Sequence, residues 1–99
     1  MSQFTQKIQE LIDQNDLVVF AKSTCPYCVK AIETLNQLGH PPLVIQLDQI
    51  DNGTQLHQAL KTKTNQNTVP AIFIKQELIG GNSDLQELNN KGELLKKFN

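Results

Sequence analysis

The chain holds two cysteines, Cys25 and Cys28, set three positions apart in Cys25-Pro26-Tyr27-Cys28. On the first turn of a helix that spacing places both side chains on one face. It also keeps them within the Cα separation a disulfide needs. A pair able to close so small a ring acts as a switch more readily than as a staple, and the chemistry it points to is thiol–disulfide exchange. Proline is favoured at the first helical position, where its missing N–H costs nothing. With Pro26 there, Cys25 becomes the N-cap, whose side chain accepts hydrogen bonds from the following N–H groups, those of Tyr27 and Cys28. The partial positive charge of the helix terminus favours a thiolate, and Lys22, three residues upstream, adds a cation. Such settings commonly bring a cysteine pKa into the range of about 3.5–7.5. Cys25 is therefore the expected exposed nucleophile. Cys28, turned back toward the strand layer and buried, is the expected resolving thiol.

Two plainer readings compete. A pair of inert buried cysteines would not require a proline between them at a strand–helix junction. A zinc half-site needs two further ligands, and the only histidines, His40 and His57, stand at no finger-like spacing. His40, beside Gly39 and two prolines, reads as a loop residue, and His57 as an exposed helix position. No metal is expected.

The elements that must position this pair are visible as hydrophobic periodicity. Phe4, Ile8, Leu11 and Ile12 form one face of an amphipathic helix that should stop near Asn15-Asp16. Leu17 to Ala21 is a short apolar run that reads as a buried strand. From Pro26 the pattern is helical, with Val29, Ile32, Leu35 and Leu38 inward and an end at Gly39 and Pro41-Pro42. Leu43 to Leu47 is a second strand. Asp51 to Thr54 leads into a helix carrying Leu56, Ala59 and Leu60. The strand Ala71–Ile74 follows, then a hairpin over Gln76-Glu77 and a short partner, Leu78-Ile79, closed by Gly80-Gly81. The remainder is helical, with Leu85 and Leu88, a break at Gly92, then Leu94, Leu95 and Phe98. The order α-β-α-β-α-β-β-α predicts an α/β fold with a sheet covered on both faces. Its first two strands should be parallel, with a right-handed crossover.

Ninety-nine residues fit one domain, 1–99. With 38% apolar and 19% charged residues and a formal charge of −1, no basic stripe predicts a grip on nucleic acid. The apolar runs are far short of a membrane span. No apolar signal-peptide core stands at the N-terminus, so a reducing compartment, the cytoplasm, is expected, where a structural disulfide would be unusual.

Two further groups of residues accompany the cysteines, Thr68-Val69-Pro70 and Gly80-Gly81-Asn82-Ser83-Asp84. Ser83-Asp84-Leu85-Gln86 fits a capping box at a helix start, and a helix N-terminus is a ready anion site. Together with Cys25-Pro26-Tyr27-Cys28 these motifs resemble, in order and spacing, a dithiol glutaredoxin of the thioredoxin-like superfamily. The Pro-Tyr dipeptide and the lack of tryptophan separate the chain from thioredoxins. The resemblance implies a thioredoxin-like fold with a four-stranded mixed sheet flanked by helices, and a cis Val69–Pro70 bond beside the cysteines. It implies glutathione as reducing co-substrate, with no tightly bound cofactor. The tripeptide's cysteine would be clasped by the backbone of Val69, in the Thr68-Val69-Pro70 segment, as an added strand. Its γ-glutamyl carboxylate would sit at the helix start formed by Gly81, Asn82 and Ser83, with Asp84 facing the α-amino group. Its glycine carboxylate would meet Lys22 and Gln66, with Tyr27 supporting the bound peptide. Lys22 alone would read as a solvated lysine, and Pro70 alone as a strand-start proline.

The implied activity is glutathione-dependent reduction of protein–glutathione mixed disulfides and of protein or small-molecule disulfides, by monothiol and dithiol exchange. The implied partners are glutathione and glutathionylated or disulfide-containing proteins. Glutathione reductase and NADPH would serve indirectly, and the chain would act as a monomer. An alternative is an iron–sulfur cluster carrier, with Cys25 of two subunits and two glutathiones as ligands. Pro26 stiffens the turn where cluster-binding relatives often have a smaller residue. A thioredoxin-type reductant served by a flavoprotein reductase is a third reading.

Overall fold

In the computed structural model, which describes residues 2–99, the local signals set the element boundaries. Helix α1 runs Gln3–Gln14 and is capped by Ser2, whose hydroxyl accepts the Thr5 N–H at 3.2 Å. Strand β1 is Leu17–Ala21, and helix α2 is Pro26–Gln37. Strand β2 is Leu43–Gln46, and helix α3 is Gly53–Thr64. Strands β3, Ala71–Ile74, and β4, Glu77–Gly80, lead into helix α4, Asn82–Asn90, and a closing 3₁₀ turn at Leu95–Phe98.

The described strands form one mixed sheet in the order β2-β1-β3-β4. β1 and β2 are parallel, while β3 runs antiparallel to both β1 and β4. The inner strands alternate their side chains between two apolar layers. Leu17, Val19, Ala21, Ile72 and Ile74 face α2 and α4, packing on Ala31, Leu35, Leu85 and Leu94. Val18, Phe20, Ala71 and Phe73 face α1 and α3, against Ile8, Ile12, Leu56 and Leu60. Phe20 meets Phe73 edge-on, with ring centroids 6.0 Å apart. Full burial of each such aliphatic or aromatic side chain contributes about 1.5–3 kcal/mol. The thioredoxin-like α/β architecture expected from the sequence is the one observed.

Besides β2 ending at Gln46 rather than Leu47, three details differ from the sequence expectations. Val29 is exposed, and the buried face of α2 is Cys28, Ala31 and Leu35. Val29 lies one position beyond Cys28, a rotation that carries it off the inward stripe. The hairpin turns one residue earlier than expected. Lys75 and Gln76 take φ of +47° and +69°, and Ile74 pairs with Glu77, the left-handed conformation of a tight two-residue hairpin turn. Helix α4 begins at Asn82, with Gly81 as its N-cap, so Ser83 is its second residue rather than its cap. A cap lies outside the helix with extended dihedrals, and Gly81, at φ −95° and ψ −166°, meets that condition.

This topology gathers the chemistry at one edge of the sheet. β1, β2 and β4 are mutually parallel, so their carboxyl ends emerge together, and the antiparallel β3 brings its amino end to the same side. The loop to α2, the cap region of α3, Pro70 and Gly81 therefore converge. Their convergence is tight at Gly53, where a Cβ would land on the carbonyl oxygen of Leu47 at the end of β2. Only glycine starts α3 there.

Candidate active site

Cys25 leaves β1 in an extended conformation, φ −100° and ψ 107°, and Pro26 opens α2. The Cys28 N–H donates to Cys25 Sγ at 3.1 Å, the capping bond expected of this sequence; Tyr27 contributes no such bond among the described contacts. The chain before the cap is held too. The Cys25 N–H donates to the Lys22 carbonyl at 3.2 Å. Ser23 donates both its N–H, at 3.0 Å, and its hydroxyl to the carboxylate of Asp48 beyond β2. Those two bonds hold the Asp48 carboxyl below the usual carboxylate range.

The two thiols differ sharply. Both are reduced, with Cys25 partly exposed and Cys28 only 1% exposed. Burial, reinforced by the Cys25 side chain, pushes the Cys28 thiol up to about 12, against a weaker backbone hydrogen bond from Lys22. Cys28 is therefore protonated across the physiological range. The Cys25 Sγ also lies 3.8 Å from the carbonyl of Val69, which precedes a cis bond to Pro70.

Beside this contact opens a cleft of about 380 Å³, within the range of small-ligand sites. Tyr27 and Gln66 form its flanks, Thr68, Val69 and Pro70 one wall, and Gly81, Asn82, Ser83 and Asp84 the other. The second wall is a helix start, where unpaired N–H groups and the helix dipole favour an anion. The Asp84 carboxylate accepts the Gly81 N–H at 3.1 Å. Gly81 has no side chain to return that bond, so half of a capping box is present. A Cβ on Gly80, whose φ is +119°, would strike the same carboxylate. The arrangement sets the partly exposed Cys25 sulfur beside the Thr68–Pro70 segment and the start of α4.

The glutaredoxin family model matches residues 17–79, from the start of β1 into β4. The chain belongs to the glutaredoxin family. Glutaredoxin-1 of Rhizophagus irregularis is 44% identical over 96 residues, covering 97% of this chain and 95% of that one. Glutaredoxin-1 of Saccharomyces cerevisiae is 42% identical over 99 residues, covering 95% and 90%. The solved buckwheat glutaredoxin–glutathione complex has a TM-score of 0.93 at 38% identity, covering 96% of this chain and 86% of that chain. The holo form of glutaredoxin C1 from Populus tremula x tremuloides gives 0.95 at 35% identity, covering 98% and 96%. As a glutaredoxin, the chain is a thiol–disulfide oxidoreductase.

In this glutaredoxin nine of the residues predicted to hold a ligand line one cleft; of the predicted set, Lys22 stands outside the lining. Lys22 follows β1, where its charge acts on Asp48 and on His57. His57 departs from its expected exposed position. Its Nε2 is buried without a hydrogen-bond partner, and burial, with the charges of Lys22 and Lys61, holds its pKa below the usual histidine value. The Gln66 amide, expected to face a ligand, donates to the Thr68 carbonyl at 2.9 Å and to the Pro70 carbonyl at 2.8 Å. Asn82 is buried and accepts from Gln86, which also reaches Thr34 on α2. Sequence reasoning missed the Ser23–Asp48 clamp and the Gln86 bridge. The first spans 25 positions and the second 52, separations at which no local pattern signals a pair.

Proposed function

We propose that this glutaredoxin uses glutathione to reduce protein–glutathione mixed disulfides and protein or small-molecule disulfides, in a reducing compartment such as the cytoplasm. The tripeptide lies along the Thr68–Pro70 segment, its cysteine beside Val69 and its sulfur toward Cys25. Its γ-glutamyl carboxylate sits at the start of α4, at Gly81, Asn82 and Ser83, with Asp84 facing the α-amino group. Its glycine carboxylate extends toward Lys22, and Tyr27, 66% exposed, covers the peptide.

Exchange starts when the Cys25 thiolate attacks the glutathione sulfur of a glutathionylated substrate. The substrate's S–S bond breaks, its sulfur leaves as thiolate and takes a proton from solvent, and Cys25 is left glutathionylated. A second glutathione thiolate attacks that glutathione sulfur, releasing oxidised glutathione and the Cys25 thiolate. With a protein disulfide, the Cys25 thiolate attacks one sulfur and the protein's S–S bond breaks. The other protein sulfur leaves as thiolate, and Cys25 is left in a mixed disulfide with the protein. The Cys28 sulfur then attacks Cys25 and yields its proton to solvent. The Cys25–protein bond breaks, the protein leaves as a thiolate, and the Cys25–Cys28 disulfide closes. Two glutathiones then reduce it in turn and leave as oxidised glutathione.

The observation that carries this reading is the asymmetry of the pair, one thiol open beside a polar cleft and one buried and protonated. The test compares two variants on a glutathionylated peptide and on a protein disulfide. Cys25→Ser should abolish both activities, whereas Cys28→Ser should keep deglutathionylation and lose most turnover of the protein disulfide. Full protein-disulfide turnover by Cys28→Ser would remove the dithiol route.

A further inference from the structure

We propose that Gln66 is a positioning residue for the segment that receives glutathione, and does not bind the tripeptide's glycine carboxylate. A carboxamide has two N–H donors and one acceptor oxygen. Both donors of Gln66 are used, at 2.9 Å to the carbonyl of Thr68 and 2.8 Å to that of Pro70. The reverse orientation would set the amide oxygen against two carbonyl oxygens, so the hydrogen-bond network fixes which end is nitrogen. What Gln66 has left to offer the cleft is an acceptor, and a carboxylate needs donors.

The two bonds land on either side of Val69. They hold the carbonyls of the residues before and after Val69, whose own carbonyl lies 3.8 Å from Cys25 Sγ. Gln66 is itself anchored, because its backbone N–H donates to the Thr64 hydroxyl at 3.1 Å, and that hydroxyl donates to the Leu60 carbonyl at 2.9 Å. Asn65 between them takes the left-handed conformation, φ +57°, that ends α3. A continuous line therefore runs from the last turn of α3 through the Gln66 side chain to the carbonyls on either side of Val69. An extended peptide pairs with a backbone edge only if that edge already presents its groups in register. Gln66 supplies that preorganisation for any peptide docked there, whatever its terminal charge.

The proposal rests on the glutathione reading above, and its test keeps the two separable. Initial rates are measured with glutathione, with its glycine monoethyl ester and with free cysteine as reductant, for the wild type, Gln66→Met and Gln66→Glu. Both replacements match the length of Gln66 and lack the two donors, and thermal unfolding of each variant identifies any loss of fold. The expected result is a rise in KM of about five- to tenfold, the scale of one or two lost hydrogen bonds. It should be equal for glutathione and ester, with kcat held and a cooperative unfolding transition retained. A rise confined to glutathione, with the ester unaffected, would make Gln66 a carboxylate ligand and overturn the proposal. No change with either thiol in a folded variant overturns it too. If free cysteine already serves the wild type as well as glutathione does, the functional reading itself fails.

Discussion

Cys28 should be almost inert to alkylation while Cys25 reacts, and the size of the difference follows from its surroundings. Its thiol is raised from an ordinary 9.0 to about 12. At pH 8 a thiol at the ordinary value is ionised to about one part in ten, and one near 12 to about one in ten thousand. The thiolate is the species that reacts with iodoacetamide, so its supply at Cys28 falls about a thousandfold before the 1% exposure is considered. Reduced protein treated with iodoacetamide at pH 8 and read by peptide mass spectrometry should label Cys25 at least about a hundredfold faster. In denaturant the two rates should converge. Cys25→Ser removes the contributions of the neighbouring side chain but leaves burial, the largest cause. Cys28 in that variant should still react at least about tenfold more slowly than in the unfolded chain. Comparable labelling of the two cysteines in the folded protein would refute the reasoning. So would a Cys28 that reacts at its unfolded rate once Cys25 is gone.

Gly53→Ala should cost about 2–3 kcal/mol, because the added methyl meets backbone rather than a movable side chain. That corresponds to a fall in Tm on the order of 10–20 °C, which calorimetry would register; a fall under about 3 °C would show that the β2–α3 junction yields. Asp48→Ala tests the clamp on the active-site loop through pH. The Asp48 carboxyl is held below its ordinary value by Ser23, so its contribution to stability is present above the unfolded pKa, about 3.9. That contribution is lost as pH falls through the lower folded value. The Tm difference between wild type and variant should therefore be constant from neutral pH down to about pH 5 and shrink below about pH 4; a difference that grows in acid would contradict this sign.

The parts of the site that were legible in the sequence are those whose physics is local. Pro26 announced a helix start, and a helix start made Cys25 the cap that accepts the Cys28 N–H. The unbroken apolar runs of β1 and β3 announced strands buried on both faces of the sheet. Boundaries slipped where two residues competed for one role. Both Gly81 and Ser83 can cap a helix, and the choice fell to Gly81, whose extended backbone follows directly from β4 and whose N–H reaches Asp84. The hairpin shifted because Lys75 and Gln76 accept positive φ, which neither residue type advertises. Long-range polar partners were invisible. Asp48 reads as a loop carboxylate until β2 is laid parallel to β1 and brings it to Ser23. Gln66 reads, by the resemblance, as a partner of the glycine carboxylate, and only the folded loop shows its amide bonded to the Thr68 and Pro70 carbonyls.

The most direct test of the central claim is reduction of a glutathionylated peptide by the full chain with glutathione supplied or omitted. In the omitted arm a thioredoxin-type flavoprotein reductase and NADPH replace it. Catalytic turnover only in the glutathione arm, lost in Cys25→Ser, is the predicted result. Sustained turnover without glutathione, driven by the reductase, would contradict the account.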